Sequence, residues 1–269
     1  MPTDLPSVKN FTAPSIVAPV DPDRNPTLAL EYWLRRDIIR GVFAPLDRLK
    51  VEQLVSFYEV GHSPVREAIL RLSTSGLVVH EHQKGHRVAP VSLADYSDLS
   101  RAYRAIYLLM LDMALENGDD AWEEAVVIQL HRSLKVEKNF DDPEHREMWQ
   151  RAYSVLHSTL LSGCGSPVMM RIWMDLDARL ERYINLFADY ELDLVLDHHS
   201  KHREIVDAVT KRDADRLHAL VIDMFEMGSG FRRTVIRGLR QYEQDLTGKV
   251  TTEVDGRPRK RGRPRKATA

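Results

Sequence analysis

The stretch GHSPVREAILRLSTSGLVVHEHQKGHRVAP, residues 61–90, indicates the fold of the N-terminal part of this chain. Ser63 is a residue type that often precedes the first turn of a helix, and Pro64 suits the first helical position. Gly76 is typical of a helix end. The apolar residues between these signals recur at the spacing of one helix face: Val65, Ile69 and Leu72. The pattern predicts a short helix with Ser63 as its N-cap.

Two β-prone runs follow this helix, at residues 77–80 and 87–89. The residues between them, Gln83-Lys84-Gly85-His86, predict a hairpin with a basic tip. Upstream, apolar residues at helical spacing predict two more helices, over residues 28–39 and 51–58. Three short helices and a hairpin are the pattern of a winged helix-turn-helix. Such a unit places one helix in the DNA major groove and the hairpin beside the DNA backbone.

The remainder of the chain has helical spacing almost throughout, from Leu93 to about Gly228. Breaks in the pattern predict roughly six helices, which indicates a bundle rather than a sheet. The breaks lie near Asn117-Gly118, Asp141 to Pro143, Gly163 to Pro167, Asp189 to Glu191, and Lys211 to Asp213. Residues 231–242 extend or end the last helix. Four arginines are expected to be exposed there: Arg232, Arg233, Arg237 and Arg240.

The predicted fold class is therefore mainly α, with an N-terminal winged helix-turn-helix followed by an all-α helical bundle that binds a ligand. Five segments are predicted. They are a flexible proline-rich arm (1–26), a DNA-binding domain (27–92), an effector-binding and dimerisation domain (93–230), a terminal helix (231–248) and a disordered basic tail (249–269).

Length and composition restrict the class of protein. The chain has 269 residues, of which 43% are hydrophobic, so it has enough apolar residues for a core and is not disordered throughout. One cysteine, Cys164, cannot form an internal disulfide. No apolar run has the length of a signal peptide or of a membrane span. A cytoplasmic protein without a membrane partner is predicted.

The net charge of −2 hides a strong asymmetry along the chain. Residues 256–269 carry seven basic residues and no acid, and residues 27–92 carry nine basic against seven acidic residues. Residues 93–255 carry 20 basic against 30 acidic residues. The helical bundle is therefore expected to repel DNA, whereas the winged domain and the tail are expected to contact it.

Residues 28–92 resemble the DNA-binding domain of GntR-family bacterial transcription regulators, above all in His62-Ser63-Pro64-Val65-Arg66-Glu67-Ala68-Ile69 and Ser75-Gly76-Leu77-Val78. The resemblance implies contacts to bases and phosphates from the start of the third helix and from the wing. By position these contacts fall to His62, Ser63, Arg66, Gln83, Lys84 and Gly85. An exposed arginine there suits guanine or phosphate. Two positions depart from the family: His62 replaces the usual arginine, and Glu59 replaces a glycine.

The helices up to residue 228 resemble the ligand-binding domain of the FadR-like branch, of the FCD type. The resemblance implies a metal-binding cavity built from an aspartate, a histidine four residues later, and two further histidines about twenty residues apart. His157 and His202 match, which would suit a divalent metal such as zinc. Tyr153 stands where the aspartate is expected, and Met224 where the last histidine is expected. The family's arginine is displaced, since Tyr103 stands there and Arg104 follows.

Two readings of this cavity stay open. In one, His157 and His202 bind a metal; in the other they are polar members of a cavity that binds an organic effector without metal. Tyr103, Tyr153 and Met224 would make the cavity more aromatic and apolar than is usual in the family.

The basic tail contains a repeated motif, Gly256-Arg257-Pro258-Arg259-Lys260 and Gly262-Arg263-Pro264-Arg265-Lys266. Its centre, Arg261 to Pro264, resembles an AT-hook. Glycine lets the backbone sit deep in a narrow minor groove, proline keeps the chain extended, and arginine follows the negative potential of A·T base pairs. Arg261, Gly262, Arg263 and Pro264 are the candidate contacts. The alternative is a generic polyanion-binding tail.

The sequence predicts a homodimeric, sequence-specific regulator of transcription, a repressor, which binds double-stranded DNA and a small carboxylate-type effector in the bacterial cytoplasm at the nucleoid. One alternative is an architectural AT-rich DNA-binding protein dominated by the basic tail. Another is a metal-dependent hydrolase that uses His157, His198 and His202. Motifs for nucleophilic or phosphate chemistry are absent from the sequence, which favours a protein that is not an enzyme.

Overall fold

The computed structural model describes residues 21, 23–136, 142–188, 192–225 and 230–255. The predicted N-terminal arm lies largely outside the described residues, and the AT-hook-like motif of the tail lies wholly outside them.

The N-terminal part is a winged helix-turn-helix, as the sequence predicts. Its elements are α1 (Pro26–Ile39), α2 (Val51–Tyr58), α3 (His62–Thr74), β1 (Val78–Glu81) and β2 (Gly85–Val88). The side chain of Asn25 accepts a hydrogen bond from the Leu28 amide and so caps α1. The strands are antiparallel, with Val78 opposite Val88 and His80 opposite His86.

The start of α3 differs from the prediction that Ser63 is its N-cap. The helix begins at His62, and Gly61 occupies the capping position with an extended backbone. The Gly61 carbonyl accepts a hydrogen bond from the Val65 amide, so the helical ladder starts two residues earlier than expected. The Ser63 hydroxyl instead donates to the Glu67 carboxylate, at 3.3 Å.

Two of the tight turns of this domain, after α2 and at the wing tip, have backbones in the left-handed region. Glu59, which ends α2, has φ 54°, and Gln83 at the wing tip has φ 63°. Gly85 follows at φ 83°, a conformation that glycine adopts without steric cost. Glu59 stands where the resemblance predicts a glycine, and its backbone adopts the conformation that a glycine would favour.

Six helices follow in the part of the chain that the structure describes, which agrees with the roughly six that the sequence predicts. They are α4 (Leu93–Asn117), α5 (Asp120–Leu134), α6 (Pro143–Ser162), α7 (Pro167–Phe187), α8 (Leu192–Thr210) and α9 (Ala214–Phe225). A seventh helix of this part, α10 (Gly230–Asp255), extends beyond Gly248, where the disordered tail was expected to begin.

Each part of the chain has its own buried core. In the winged domain Leu30, Leu34, Ile69 and Leu72 are among the residues that pack between α1 and α3. In the helical part the largest fully buried side chains include Trp173, Tyr107 and Leu156. The separate cores are typical of two packed units, each large enough to bury an apolar interior.

Helix α7 joins the two parts, because its side chains bond to the winged domain and to the segment that follows it. The Asn185 amide donates to the Ile39 carbonyl at the end of α1, and Arg182 donates to the Ala89 carbonyl after β2. Asp175 accepts from Arg35 of α1 at 2.9 Å. These bonds connect the backbone and side chains of the winged domain directly to one helix of the bundle.

Candidate functional site

A cavity of about 180 Å³ lies inside the helical part, between α4, α6, α7 and the helices that follow. Its wall is mostly aromatic, with polar groups at a few points. The lining includes Tyr96, Tyr103, Trp149, Tyr153, Met224 and Phe225. A largely apolar wall with a small number of polar groups is typical of a small-molecule site, and a volume below the usual range of about 300–1,000 Å³ suits a small ligand.

A chain of hydrogen bonds runs through the histidines beside this cavity. The Tyr107 hydroxyl lies 2.6 Å from His157 Nδ1, and His157 Nε2 lies 3.2 Å from His202 Nε2. His202 Nδ1 lies 2.7 Å from the His198 carbonyl oxygen. A carbonyl only accepts, so His202 Nδ1 carries the proton and, in a neutral ring, Nε2 accepts from His157. His157 Nδ1 then accepts from Tyr107, and every bond runs in one direction.

Burial keeps these imidazoles neutral. It lowers the pKa of His157 to about 4. Burial, reinforced by the neighbouring histidines, also holds the pKa of His202 and that of His198 well below the usual value. The ring of His198 packs against that of His202, with centroids 4.0 Å apart. The cluster is therefore a neutral polar wall at physiological pH, not a cationic one.

Two carboxyl groups of α7 that belong to none of the predicted sites also line the cavity. Asp177 accepts a hydrogen bond from the Tyr103 hydroxyl at 2.9 Å, and burial raises its pKa to about 6. Burial, together with the charge of Asp177, raises the pKa of Glu181 to about 7. Their i, i+4 spacing on an amphipathic helix is the signal that places both on one face.

Tyr153 occupies the position where the resemblance predicts an aspartate. Its side chain is buried, and its ring packs edge-on against His198 and His202 with centroids 4.4 and 4.6 Å apart. Its hydroxyl is buried and has no hydrogen-bond partner among the residues that the structure describes. A buried hydroxyl without a partner is costly, and a ligand that accepts or donates there would remove that cost.

Arg232 corrects one expectation: it was predicted to be exposed, but it is half-buried and lines the cavity. Its guanidinium donates to the Phe225 carbonyl and lies 5.6 Å from the centre of the Tyr96 ring. The first turn of α10 thus brings a cation to the cavity. Four of the other predicted effector-binding residues line the cavity: Tyr103, Tyr153, His157 and Met224. His202 is not part of the lining but lies within hydrogen-bond distance of His157. Arg104 is not part of the lining either.

The residues present do not fit the divalent metal that the resemblance implies. Only His157 and His202 supply imidazole nitrogens at the expected positions. Their Nε2 atoms share a hydrogen bond, in which His157 supplies the proton and His202 the lone pair, so neither Nε2 atom has a free lone pair for a metal. Tyr153 and Met224 replace a carboxylate and an imidazole, so fewer than three of the usual ligands remain. Within the described ranges, no group of three or more His, Cys, Asp or Glu side chains is arranged to hold a metal ion.

The predicted DNA-contacting residues of the winged domain lie on the surface. His62, Ser63 and Arg66 are exposed on the first turns of α3. Gln83, Lys84 and Gly85 are exposed at the turn between β1 and β2. These positions are those of a recognition helix and its wing. The candidate tail residues, Arg261 to Pro264, lie outside the described residues.

A winged helix-turn-helix with an exposed recognition helix, attached to a helical bundle with an internal cavity, defines a class of protein: ligand-responsive DNA-binding regulators. The sequence comparisons give the family. The profile for bacterial regulatory proteins of the gntR family matches residues 27–88, and that of the FCD domain matches residues 98–227. The chain belongs to the GntR family and is a DNA-binding transcription regulator with an FCD domain.

Curated relatives agree with this assignment. The chain is 32% identical over 193 residues to the HTH-type transcriptional repressor GlaR of Escherichia coli, which covers 70% of this chain and 87% of the relative. It is 32% identical over 233 residues to the HTH-type transcriptional repressor RspR of the same species, with 84% of this chain and 97% of the relative covered.

Solved structures share the fold. Escherichia coli McbR/YncC superposes with a TM-score of 0.64 at 16% identity, over 80% of this chain and 98% of that one. A GntR transcriptional regulator from Rhodococcus sp. RHA1 superposes with a TM-score of 0.60 at 20% identity, over 76% of this chain and 95% of that one. Within the described part of the chain, no helix has the length and apolarity needed to cross a membrane.

Proposed function

We propose that this regulator is a homodimeric repressor, located in the cytoplasm at the nucleoid, whose binding to a two-fold operator is controlled by a small organic acid. The proposed division is a DNA-binding domain over residues 27–92 and an effector-binding and dimerisation domain over 93–230. A single winged domain contacts one half-site, so a dimer is needed for a two-fold operator. Sedimentation velocity of the purified chain tests the dimer. GlaR and RspR, the relatives described above, are named as repressors, which supports that sign of regulation.

The single observation that carries the DNA-binding proposal is the exposed basic side chain of Arg66 on the first turns of α3. Replacing an arginine that contacts a base or phosphate weakens binding by about tenfold or more. We therefore expect Arg66→Ala to lose operator affinity in a fluorescence anisotropy titration. Arg132→Ala, which alters another exposed arginine at the end of α5, is the matched control and is expected to bind as the unchanged protein does.

The proposed effector is a small organic acid with an aromatic or branched apolar body. Its carboxylate would pair with Arg232, its body would pack against the aromatic wall, and a polar group would bond to the buried Tyr153 hydroxyl. Asp177 and Glu181 repel a bound anion less strongly than two ordinary carboxylates would. Burial raises the pKa of each, so each carries less negative charge near neutral pH.

A thermal-shift screen of carboxylic acids, with and without Zn²⁺, tests this proposal. We expect stabilisation by a subset of acids without added metal. Arg232→Gln is expected to abolish that shift, whereas Arg240→Gln, exposed on the same helix, is expected to keep it. A shift that requires Zn²⁺ would contradict the proposal of a cavity without metal.

The tail is proposed to add affinity through the AT-hook-like residues Arg261 to Pro264, while the winged domain supplies specificity. Truncation after Asp255 removes seven positive charges. We expect the truncated protein to keep operator selectivity with weaker affinity and a shallower dependence on salt concentration. Loss of nearly all DNA binding would instead favour an architectural role for the tail.

A further inference from the structure

A second, larger cavity lies between the winged domain and the helical part. Its volume is about 530 Å³, against about 180 Å³ for the effector cavity. Helix α1 forms one side, and α6 and α7 form the other. Ligand sites commonly measure about 300–1,000 Å³, so this second cavity has the volume of a site for a small molecule.

Arginine side chains from all three helices line this cavity: Arg35, Arg36 and Arg40 from α1, Arg151 from α6, and Arg171 from α7. Arg35, Arg36 and Arg151 are half-buried, which strengthens the field of their charges. Five acidic side chains line the same space and offset part of the positive charge: Glu31, Glu147, Asp175, Asp177 and Glu181. Burial lowers the pKa of Arg40, and the neighbouring charge of Arg36 adds to that effect. An anion in the cavity would lower the energy of this arrangement.

Two of the carboxylates that line the cavity form ion pairs with its arginines. Glu147 forms ion pairs with both Arg40 and Arg151. Asp175 pairs with Arg35 at 2.9 Å between the charged atoms. Arg171 is exposed and forms no ion pair with any residue that the structure describes.

The two cavities share part of their walls. Gln150, Ser154, Asp177 and Glu181 line both of them. Burial raises the pKa of Glu181 to about 7, so this carboxyl group offsets less positive charge at neutral pH than an ordinary glutamate would. The wall that this interdomain cavity shares with the first cavity therefore carries less negative charge at neutral pH than its carboxyl groups would suggest.

We propose that this interdomain cavity is a second ligand site, which binds a small anion with several negative charges, such as a phosphate ester or a polycarboxylate. Guanidinium groups bind both chemistries through paired hydrogen bonds. An anion there would bridge α1 to α6 and α7, and so hold the winged domain at one position on the bundle. This site differs from the effector cavity, and its occupancy does not depend on an effector being bound there.

Isothermal titration calorimetry of the full-length protein with pyrophosphate, citrate and acetate tests the proposal. We expect saturable binding of pyrophosphate or citrate and much weaker binding of acetate. The first two ligands separate a phosphate from a carboxylate source. Arg40→Gln and Arg171→Gln should each weaken binding about tenfold, the usual effect of one charged hydrogen bond. Circular dichroism checks that both variants fold, and Arg171→Gln breaks no ion pair with the described residues.

Two control variants separate this site from other basic regions. Arg101→Gln, which alters an exposed ion pair with Asp98, should bind the anion as the unchanged protein does. Arg232→Gln, in the effector cavity, should also keep anion binding. The proposal is overturned if neither pyrophosphate nor citrate binds. It is also overturned if binding persists unchanged in Arg40→Gln and Arg171→Gln, since the anion would then lie on the tail, on the wing or beside Arg232 in the first cavity.

Discussion

The turn between α2 and α3 gives the sharpest prediction for stability. Glu59 ends α2 with φ 54° and ψ 41°, in the left-handed region, and its side chain is exposed. For a residue with a Cβ atom this conformation costs roughly 1–2 kcal/mol, whereas glycine adopts it freely. Glycine also lowers the free energy of unfolding by about 0.4–1 kcal/mol, because it gives the unfolded chain more conformational freedom. The two contributions give a net gain between about 0 and 1.6 kcal/mol, so we expect Glu59→Gly to raise the free energy of unfolding by about 0.5–1 kcal/mol, near the middle of that range.

Urea denaturation followed by circular dichroism measures this difference, and a thermal scan should show a rise of roughly 1–4 °C in Tm. Glu59→Ala is the matched control, because it removes the carboxylate but keeps the Cβ atom. It should give no comparable gain. The reasoning would be refuted if Glu59→Gly destabilised the protein, or if both variants gained equally, since the gain would then come from removal of charge.

Three further substitutions test the helical part. Gly163→Ala should lower the free energy of unfolding by about 1–3 kcal/mol, because the added Cβ would lie 2.6 Å from the buried indole of Trp122. An unchanged midpoint of urea denaturation would contradict this packing. Burial raises the pKa of Glu181 to about 7 from 4.5, so the fold favours its neutral form and stability should fall as the pH rises between these values. Glu181→Gln should reduce that fall in urea denaturation measured from about pH 5 to pH 8, and should leave the part that Asp177 contributes, because burial raises the pKa of Asp177 to about 6. A pH dependence equal to that of the unchanged protein would refute the assignment. Tyr153→Phe should keep or raise stability by up to about 1 kcal/mol while weakening the response to the effector; a loss of stability by urea denaturation would indicate a hydroxyl partner.

Much of the fold could be predicted because its signals are local. Helix α2 has the predicted bounds, and the breaks near Asn117 and Gly163 separate helices as expected, since glycine, proline and turn residues act on their own neighbours. The prediction that Ser63 is the N-cap of α3 was wrong, also for a local reason. Gly61 adopts the extended backbone of the capping position, and the Ser63 hydroxyl donates to Glu67.

The cavity was less predictable, because it depends on which distant helices meet. Sequence position identified Tyr103, Tyr153, His157 and Met224 as candidates, and all four line the space. Arg232 was expected to be exposed, since its neighbours carry a polar pattern and nothing local shows that the first turn of α10 packs beside Tyr96. The arginine cavity was also missed, because it forms between two parts of the chain that the sequence presents separately.

The winged domain is proposed to bind a specific DNA sequence with two-fold symmetry. Selection of bound fragments from a random pool of double-stranded DNA by the purified full-length protein, followed by sequencing, tests it most directly. We predict enrichment of one motif with two-fold symmetry, and loss of that enrichment in Arg66→Ala. Recovery of DNA without any motif beyond A·T richness would contradict the account, because binding would then come from the basic tail alone.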